Sequence, residues 1–296
     1  MDLLDTFRSV PWFFVGTALV LGLMVGSFLN VVIHRLPIML ERDWKAQCLE
    51  YLGDKIVLKQ PEQSGDQRKY NLVVPRSACP GCGSPITALQ NIPILSYALL
   101  RGKCAACKIP ISIRYPLVEA LTGLLTGFLA WHYGVTWTMV FAVAYLWALL
   151  ALTFIDADTT LLPDDITLPL LWLGLLINTA DVFTSIGSAT VGAVAGYLIL
   201  WSVYWAFKLI TGKEGMGYGD FKLLAAIGAW LGWQLLPLVI LLSAAVGTVV
   251  GIAGIVMKGR DKGAKLPFGP YLAAAGFIAM VWGEHLNAWY LGRVPG

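Results

Sequence analysis

Charge is what this chain has least of. Of its 296 residues only 13% are Asp, Glu, Lys or Arg, whereas 57% are hydrophobic and the mean hydropathy is +0.70. A soluble domain carries about 25% charged residues, so a conventional water-soluble globule is excluded. Histidine is also scarce. His34, His132 and His285 are scattered along the chain and form no HExxH pair for a metalloprotease. His34 reads as a headgroup-level residue, and the other two as interfacial or helix-packing residues. No Gly-x-Ser triplet offers a nucleophile elbow, and no glycine-rich strand-to-helix turn marks a dinucleotide site. The expected medium is the lipid bilayer, and no nucleic-acid partner is expected.

What is abundant is long apolar sequence. Pro11 to Ile33 is the first run, long enough to span and followed by no small-residue cleavage site, so it reads as a retained helix rather than a signal peptide. Seven more follow, at about 116–132, 136–155, 166–180, 189–210, 221–235, 237–257 and 270–291. The fold class expected is therefore an all-α polytopic membrane protein with about eight transmembrane helices at ~20 residues per crossing. Between the first two runs, residues 34–114 hold 12 of the 21 Lys and Arg and all five cysteines, four of them in two CxxC pairs. The division expected is a first helix, 1–33, a polar domain, 34–115, and a seven-helix membrane core, 116–296.

Orientation follows from the basic residues, which stay in cytoplasmic loops. With 34–114 on the cytoplasmic side, Lys208, Lys213, Lys222, Lys258, Arg260, Lys262 and Lys265 fall there too. Only Arg8 and Arg293 lie opposite. The segment 221–235 is the weakest span of the eight, being short.

The cysteines come as Cys79-Pro-Gly-Cys82 and Cys104-Ala-Ala-Cys107, with 21 residues between the pairs. Two thiolates at CxxC spacing take adjacent corners of a tetrahedron, and two such pairs close a structural zinc site with no place left for water. Redox, disulfide or iron–sulfur use of the same residues is the alternative, and disulfides are disfavoured in the cytoplasm. A domain of this size gains from a metal staple. Cys48, left over, reads as an ordinary thiol.

Acids beside apolar spans are costly, so each is a functional candidate. Phe154-Ile-Asp156-Ala-Asp158 ends one span, and Gly215-Met-Gly-Tyr-Gly-Asp220 opens another. The 63 residues between Asp156 and Asp220 contain two spans, which returns the chain to the side it left. The two carboxylates therefore share the cytoplasmic membrane edge. Such a pair holds one proton between them and polarises a water, the division of labour of aspartic proteolysis. Plainer roles fit the other acids. Asp164 and Asp165 after Pro163 read as helix caps, Asp158 as a loop acid or a partner of Asp156, and Glu119 as an interfacial ion pair with Arg114.

Taken in order, the paired cysteines, Asn91-Ile-Pro-Ile-Leu-Ser-Tyr97, Arg101-Gly-Lys-Cys104, Arg114-Tyr-Pro-Leu-Val-Glu119, Asp156 with Leu162-Pro163-Asp164, and Gly217-Tyr-Gly-Asp220 resemble the bifunctional type IV prepilin peptidases, the GxGD aspartic membrane proteases. Gly26-Ser-Phe-Leu-Asn-Val-Val-Ile-His-Arg-Leu-Pro37 resembles that family's first span. The resemblance implies a bacterial inner-membrane enzyme whose active site faces the cytoplasm. Its substrates would be type IV prepilins or type II secretion pseudopilins, cleaved after a glycine to remove the basic leader. The new N-terminal residue would then be methylated from S-adenosylmethionine. By motif, Asp156 and Asp220 take the catalytic positions and Cys79, Cys82, Cys104 and Cys107 the zinc positions. The residues that bind the methyl donor are not identified. Gly102 and Lys103 are plausible contributors, equally well explained by contact with anionic headgroups. Two other readings stand beside this one: a GxGD protease with another substrate, and a transporter whose acids relay protons.

Overall fold

The computed structural model describes residues 3–52, 70–87, 89–258 and 267–290. Arg260, Lys262, Lys265 and Arg293, which bear on orientation, lie outside the described residues. Ten α-helices are found among the described residues: α1 (Leu3–Ser9), α2 (Pro11–Leu52), α3 (Leu95–Leu99), α4 (Arg114–Tyr133), α5 (Trp137–Thr159), α6 (Asp164–Ile177), α7 (Ile186–Thr211), α8 (Tyr218–Leu231), α9 (Leu236–Lys258) and α10 (Gly269–Tyr290). Within the same residues no β-strand is present beyond two isolated bridges.

Every one of the eight apolar runs is helical. Four helical stretches are long and apolar enough to cross a membrane: α2, α5, α7, and Trp233–Gly254, which is largely α9. Helices α6 and α8 have 14 residues each, about 21 Å at the helical rise and short of the ~30 Å hydrocarbon layer. Helix α2 runs past Ile33 to Leu52, with Pro37 inside it. Beyond the apolar run its sequence is still made of good helix formers, and Glu41 pairs with Lys45 one turn on at 2.7 Å.

Two compact units are present, one from Val15 to Phe128 and the other comprising Met1–Phe14 with Leu129–Gly296. The smaller groups α2, the cysteine segment and most of α4. Small residues bring its two long helices together: a methyl group on Gly22 would lie 2.7 Å from Thr126 Cβ, and one on Gly26 2.8 Å from Glu119 Cα. Arg35, buried in α2, donates from Nη1 to the Asn71 carbonyl (2.9 Å) and from Nη2 to the Pro75 carbonyl (2.6 Å). The guanidinium of Arg42 stacks on Tyr70, 4.2 Å from the ring centre. The chain returning toward the cysteines is thereby fastened to the end of α2.

In the larger unit α8 is the centre. Eleven of its 14 residues are buried, because α7 approaches it through Gly192 and Gly196. A methyl group on Gly192 would run into the Gly228 carbonyl, and one on Gly196 into that of Leu224. On another side Trp230 stacks on Tyr145 (4.8 Å between ring centres) and donates its indole N–H to the Leu170 carbonyl of α6 at 2.7 Å. The end of α8 is held by Asn178, which is wholly buried. Its amide nitrogen donates to the carbonyls of Ala229 and Trp230, and its oxygen accepts from the N–H groups of Phe183 and Thr184. Asn178→Leu leaves these groups without partners and is expected to destabilise the unit by roughly 3 kcal/mol or more. Thermal unfolding in detergent checks this.

Candidate active site

Asp156 and Asp220 lie in the larger unit, both almost fully buried, at 4% and 6% exposure. Leu162 packs against both Gly219, the residue before Asp220, and Gly269, which meets Asp156, so the chain brings the two sequence-marked acids to one place. Asp156 is in the last turn of α5, and its Oδ2 accepts the Gly269 N–H at 2.9 Å. Gly269 opens α10, where the first N–H groups have no partner within the helix and carry the positive end of its dipole. Asp220 sits in the first turn of α8, and its Oδ2 accepts the N–H of Gly217 at 3.2 Å. This is the acid's half of a capping box. Asp220 therefore caps the start of α8 with one of its oxygens. Each acid has its Oδ2 tied to a backbone amide at a helix start.

The Gly217-Tyr-Gly-Asp220 turn is anchored from α7. The Tyr204 ring packs against Tyr218 (5.3 Å) and Phe221 (5.6 Å). Its hydroxyl accepts from Lys208 Nζ at 3.1 Å, and Lys208 also reaches Glu214 Oε1 at 3.0 Å.

The remaining acids have other duties. Pro163 holds the N-cap position of α6, so Asp164 and Asp165 lie in its first turn rather than capping it. There they favour the helix dipole. Both Asp164 oxygens meet Lys222 Nζ at 2.7 Å. Asp158 is exposed. Glu119, in the smaller unit, is buried and accepts the Ile94 N–H at 2.8 Å. The Ile94 backbone is in the left-handed region, with φ of 59°.

Gly269 is the residue the sequence reading passed over. A methyl group there would stand 2.8 Å from Asp156 Oδ2. The signal was Pro267-Phe-Gly-Pro270 just before the last apolar run, a glycine at a helix start between two prolines. Gly269→Ala is expected to slow cleavage by about 10²-fold through displacement of Asp156, read as the initial rate of leader removal.

The smaller unit carries the second site. The sulfurs of Cys79, Cys82, Cys104 and Cys107 all lie within 4.8 Å of one another, and those of Cys79 and Cys107 are 3.8 Å apart. Tetrahedral Zn–S bonds of ~2.3 Å require edges of about 3.8 Å, so the donor set fits a closed four-thiolate metal site. Two like turns present it. In the first, the Cys79 N–H donates to the Ser84 carbonyl and the Gly83 N–H to that of Cys79. In the second, the Cys104 N–H donates to Ile109 and the Lys108 N–H to Cys104. Gly83 and Lys108 take the same left-handed position, with φ of 69° and 62°. The N–H groups of Cys107 and Ala106 draw the Cys104 thiol down to about 6, which favours the thiolate a metal needs. For Cys107 the Ile109 N–H pulls the same way, but desolvation and the crowded sulfurs around it carry the thiol up to about 11.

Comparison with known proteins gives the family. Residues 20–133 match the bacterial peptidase A24 N-terminal domain, and residues 143–252 match the type IV leader peptidase family. A prepilin leader peptidase/N-methyltransferase of Aeromonas hydrophila is 56% identical over 98% of this chain and 98% of its own length. That of Pseudomonas aeruginosa is 55% identical, again over 98% of each chain, and that of Legionella pneumophila 46% over 96% of each. No solved structure matches the chain. With an A24 N-terminal domain around the cysteines and a leader-peptidase domain around the paired aspartates, the chain belongs to the type IV leader peptidase family.

Proposed function

We propose that the protein is a membrane aspartic endopeptidase that removes the basic leader of type IV prepilins or type II secretion pseudopilins and N-methylates the residue so exposed. The observation that supports the peptidase reading is the burial of Asp156 and Asp220 on the two backbones that meet at Leu162, each carboxylate fixed by a backbone N–H. In this mechanism the two carboxylates share one proton around a water. The water adds to the scissile carbonyl as one aspartate takes its proton, and the protonated partner hydrogen-bonds the developing oxyanion. Collapse of the tetrahedral species breaks the C–N bond. The proton then passes to the leaving amine, and the leader departs with a new carboxylate. No covalent enzyme intermediate is needed.

The methyl-transfer reading rests on the relatives' names and on the full-length match to them. S-adenosylmethionine would supply the methyl group to the new amine. Zinc is the metal proposed for Cys79, Cys82, Cys104 and Cys107, in a structural role because the four thiolates leave no coordination position open. The proposed location is the bacterial inner membrane with eight crossings, the cysteine domain and the aspartates facing the cytoplasm. The skew of Lys and Arg toward one set of loops supports that orientation. Detergent-purified protein incubated with a prepilin should release a leader-sized fragment, and labelled S-adenosylmethionine added to the same tube should mark the mature product. An intact prepilin after prolonged incubation would overturn the peptidase reading.

A further inference from the structure

We propose that Leu162 is a positioning residue that fixes the separation of Asp156 and Asp220, an inference that rests on the reading of those two acids as the catalytic pair. Leu162 lies in the short link between α5 and α6 and is buried. Its side chain lies against two glycines at once. A methyl group on Gly219 would fall 2.7 Å from Leu162 Cβ, and one on Gly269 would fall 3.1 Å from Leu162 Cδ2. Gly219 is the residue before Asp220, and Gly269 supplies the N–H that holds Asp156. One isobutyl group therefore separates the backbone that carries one carboxylate from the backbone that holds the other.

The link that carries Leu162 is itself secured. Two residues further on, Asp164 meets Lys222 with both oxygens at 2.7 Å, and Lys222 stands two residues beyond Asp220. The start of α6 is pinned to the start of α8 beside the pair. A leucine in this place excludes water and resists closure of the two helix starts upon each other. Trimming it to alanine keeps the Cβ that faces Gly219 but removes the Cδ2 that faces Gly269, so the two backbones are free to approach or part. Such a shift changes the geometry around a shared water far more than it changes affinity for a long apolar substrate helix.

The experiment compares four purified variants by steady-state leader removal: Leu162→Ala, Leu162→Met, Leu146→Ala and Asp220→Asn. Leu146 is buried in α5, about 15 Å along the helix from Asp156, and reports the cost of a core cavity alone. Leu162→Ala should lose about 10- to 100-fold in kcat with KM within twofold of the parent. Leu162→Met, which refills the volume, should regain most of the loss, and Leu146→Ala should keep the parental kcat. A parental kcat in Leu162→Ala, or equal losses in Leu162→Ala and Leu146→Ala, overturns the spacer role while a dead Asp220→Asn leaves the catalytic pair standing. An active Asp220→Asn overturns the pair itself and the spacer with it.

Discussion

Asp156→Asn and Asp220→Asn are each expected to stop leader cleavage, with a loss of about 10²–10⁴-fold or more, in proteins that fold as the parent does. Asparagine keeps the shape of aspartate, and its amide oxygen still accepts the Gly269 or Gly217 N–H. The change therefore removes the proton-carrying group and leaves the helix starts capped. Because the two acids act on one water, their losses do not add. The double variant should cleave no more slowly than either single one. Initial rates with a saturating prepilin, together with the thermal unfolding of each variant in detergent, decide the matter. Cleavage at the parental rate by either single variant would falsify the assignment.

Loss of the proposed metal is the second large effect. Four thiolates arranged for one tetrahedral ion couple binding to folding, and in small zinc domains that coupling reaches ~10–16 kcal/mol. Replacing any of Cys79, Cys82, Cys104 or Cys107 by serine should lower bound zinc from one per chain to none. Residues 76–111 should at the same time open to limited proteolysis. Cys48→Ser should keep its zinc, since Cys48 stands exposed on α2, outside the cluster. Elemental analysis of the purified proteins gives the answer directly. A full complement of zinc in a cluster variant would show that the cysteines are not its ligands.

How far the amino-acid sequence reveals such a molecule depends on the range of the interaction. The apolar runs became helices because in lipid a backbone must satisfy its own hydrogen bonds, and the CxxC pairs met because their spacing already suits one ion. The start of α6 was less legible. Asp164 looks like a cap by its neighbours in sequence, yet it lies one position inside the helix and its partner is Lys222, on a different helix. Length was hidden too. Residues 34–52 read as part of a polar domain, but they continue α2, because helix propensity and the Glu41–Lys45 pair work as well outside an apolar segment as inside one. The role of Gly269 could not be read at all without the fold, since it exists only through Asp156, 113 residues earlier. Glycine and proline at a helix start are visible in a string of letters, but the acid they receive is not.

The short, enclosed α8 has a consequence for the membrane around it. Most of its residues touch protein, whereas α7 and α9 present Val191, Val194, Leu198, Leu241, Val249 and Ile252 outward. A change in acyl-chain length strains whichever helices meet the lipid, at fractions of a kcal/mol per Å of mismatch. That load falls on the outer helices, which can tilt, while the one that carries Asp220 is sheltered by its neighbours. Bilayers of different thickness should thus alter the lean of the periphery and leave the hydrolytic geometry nearly constant.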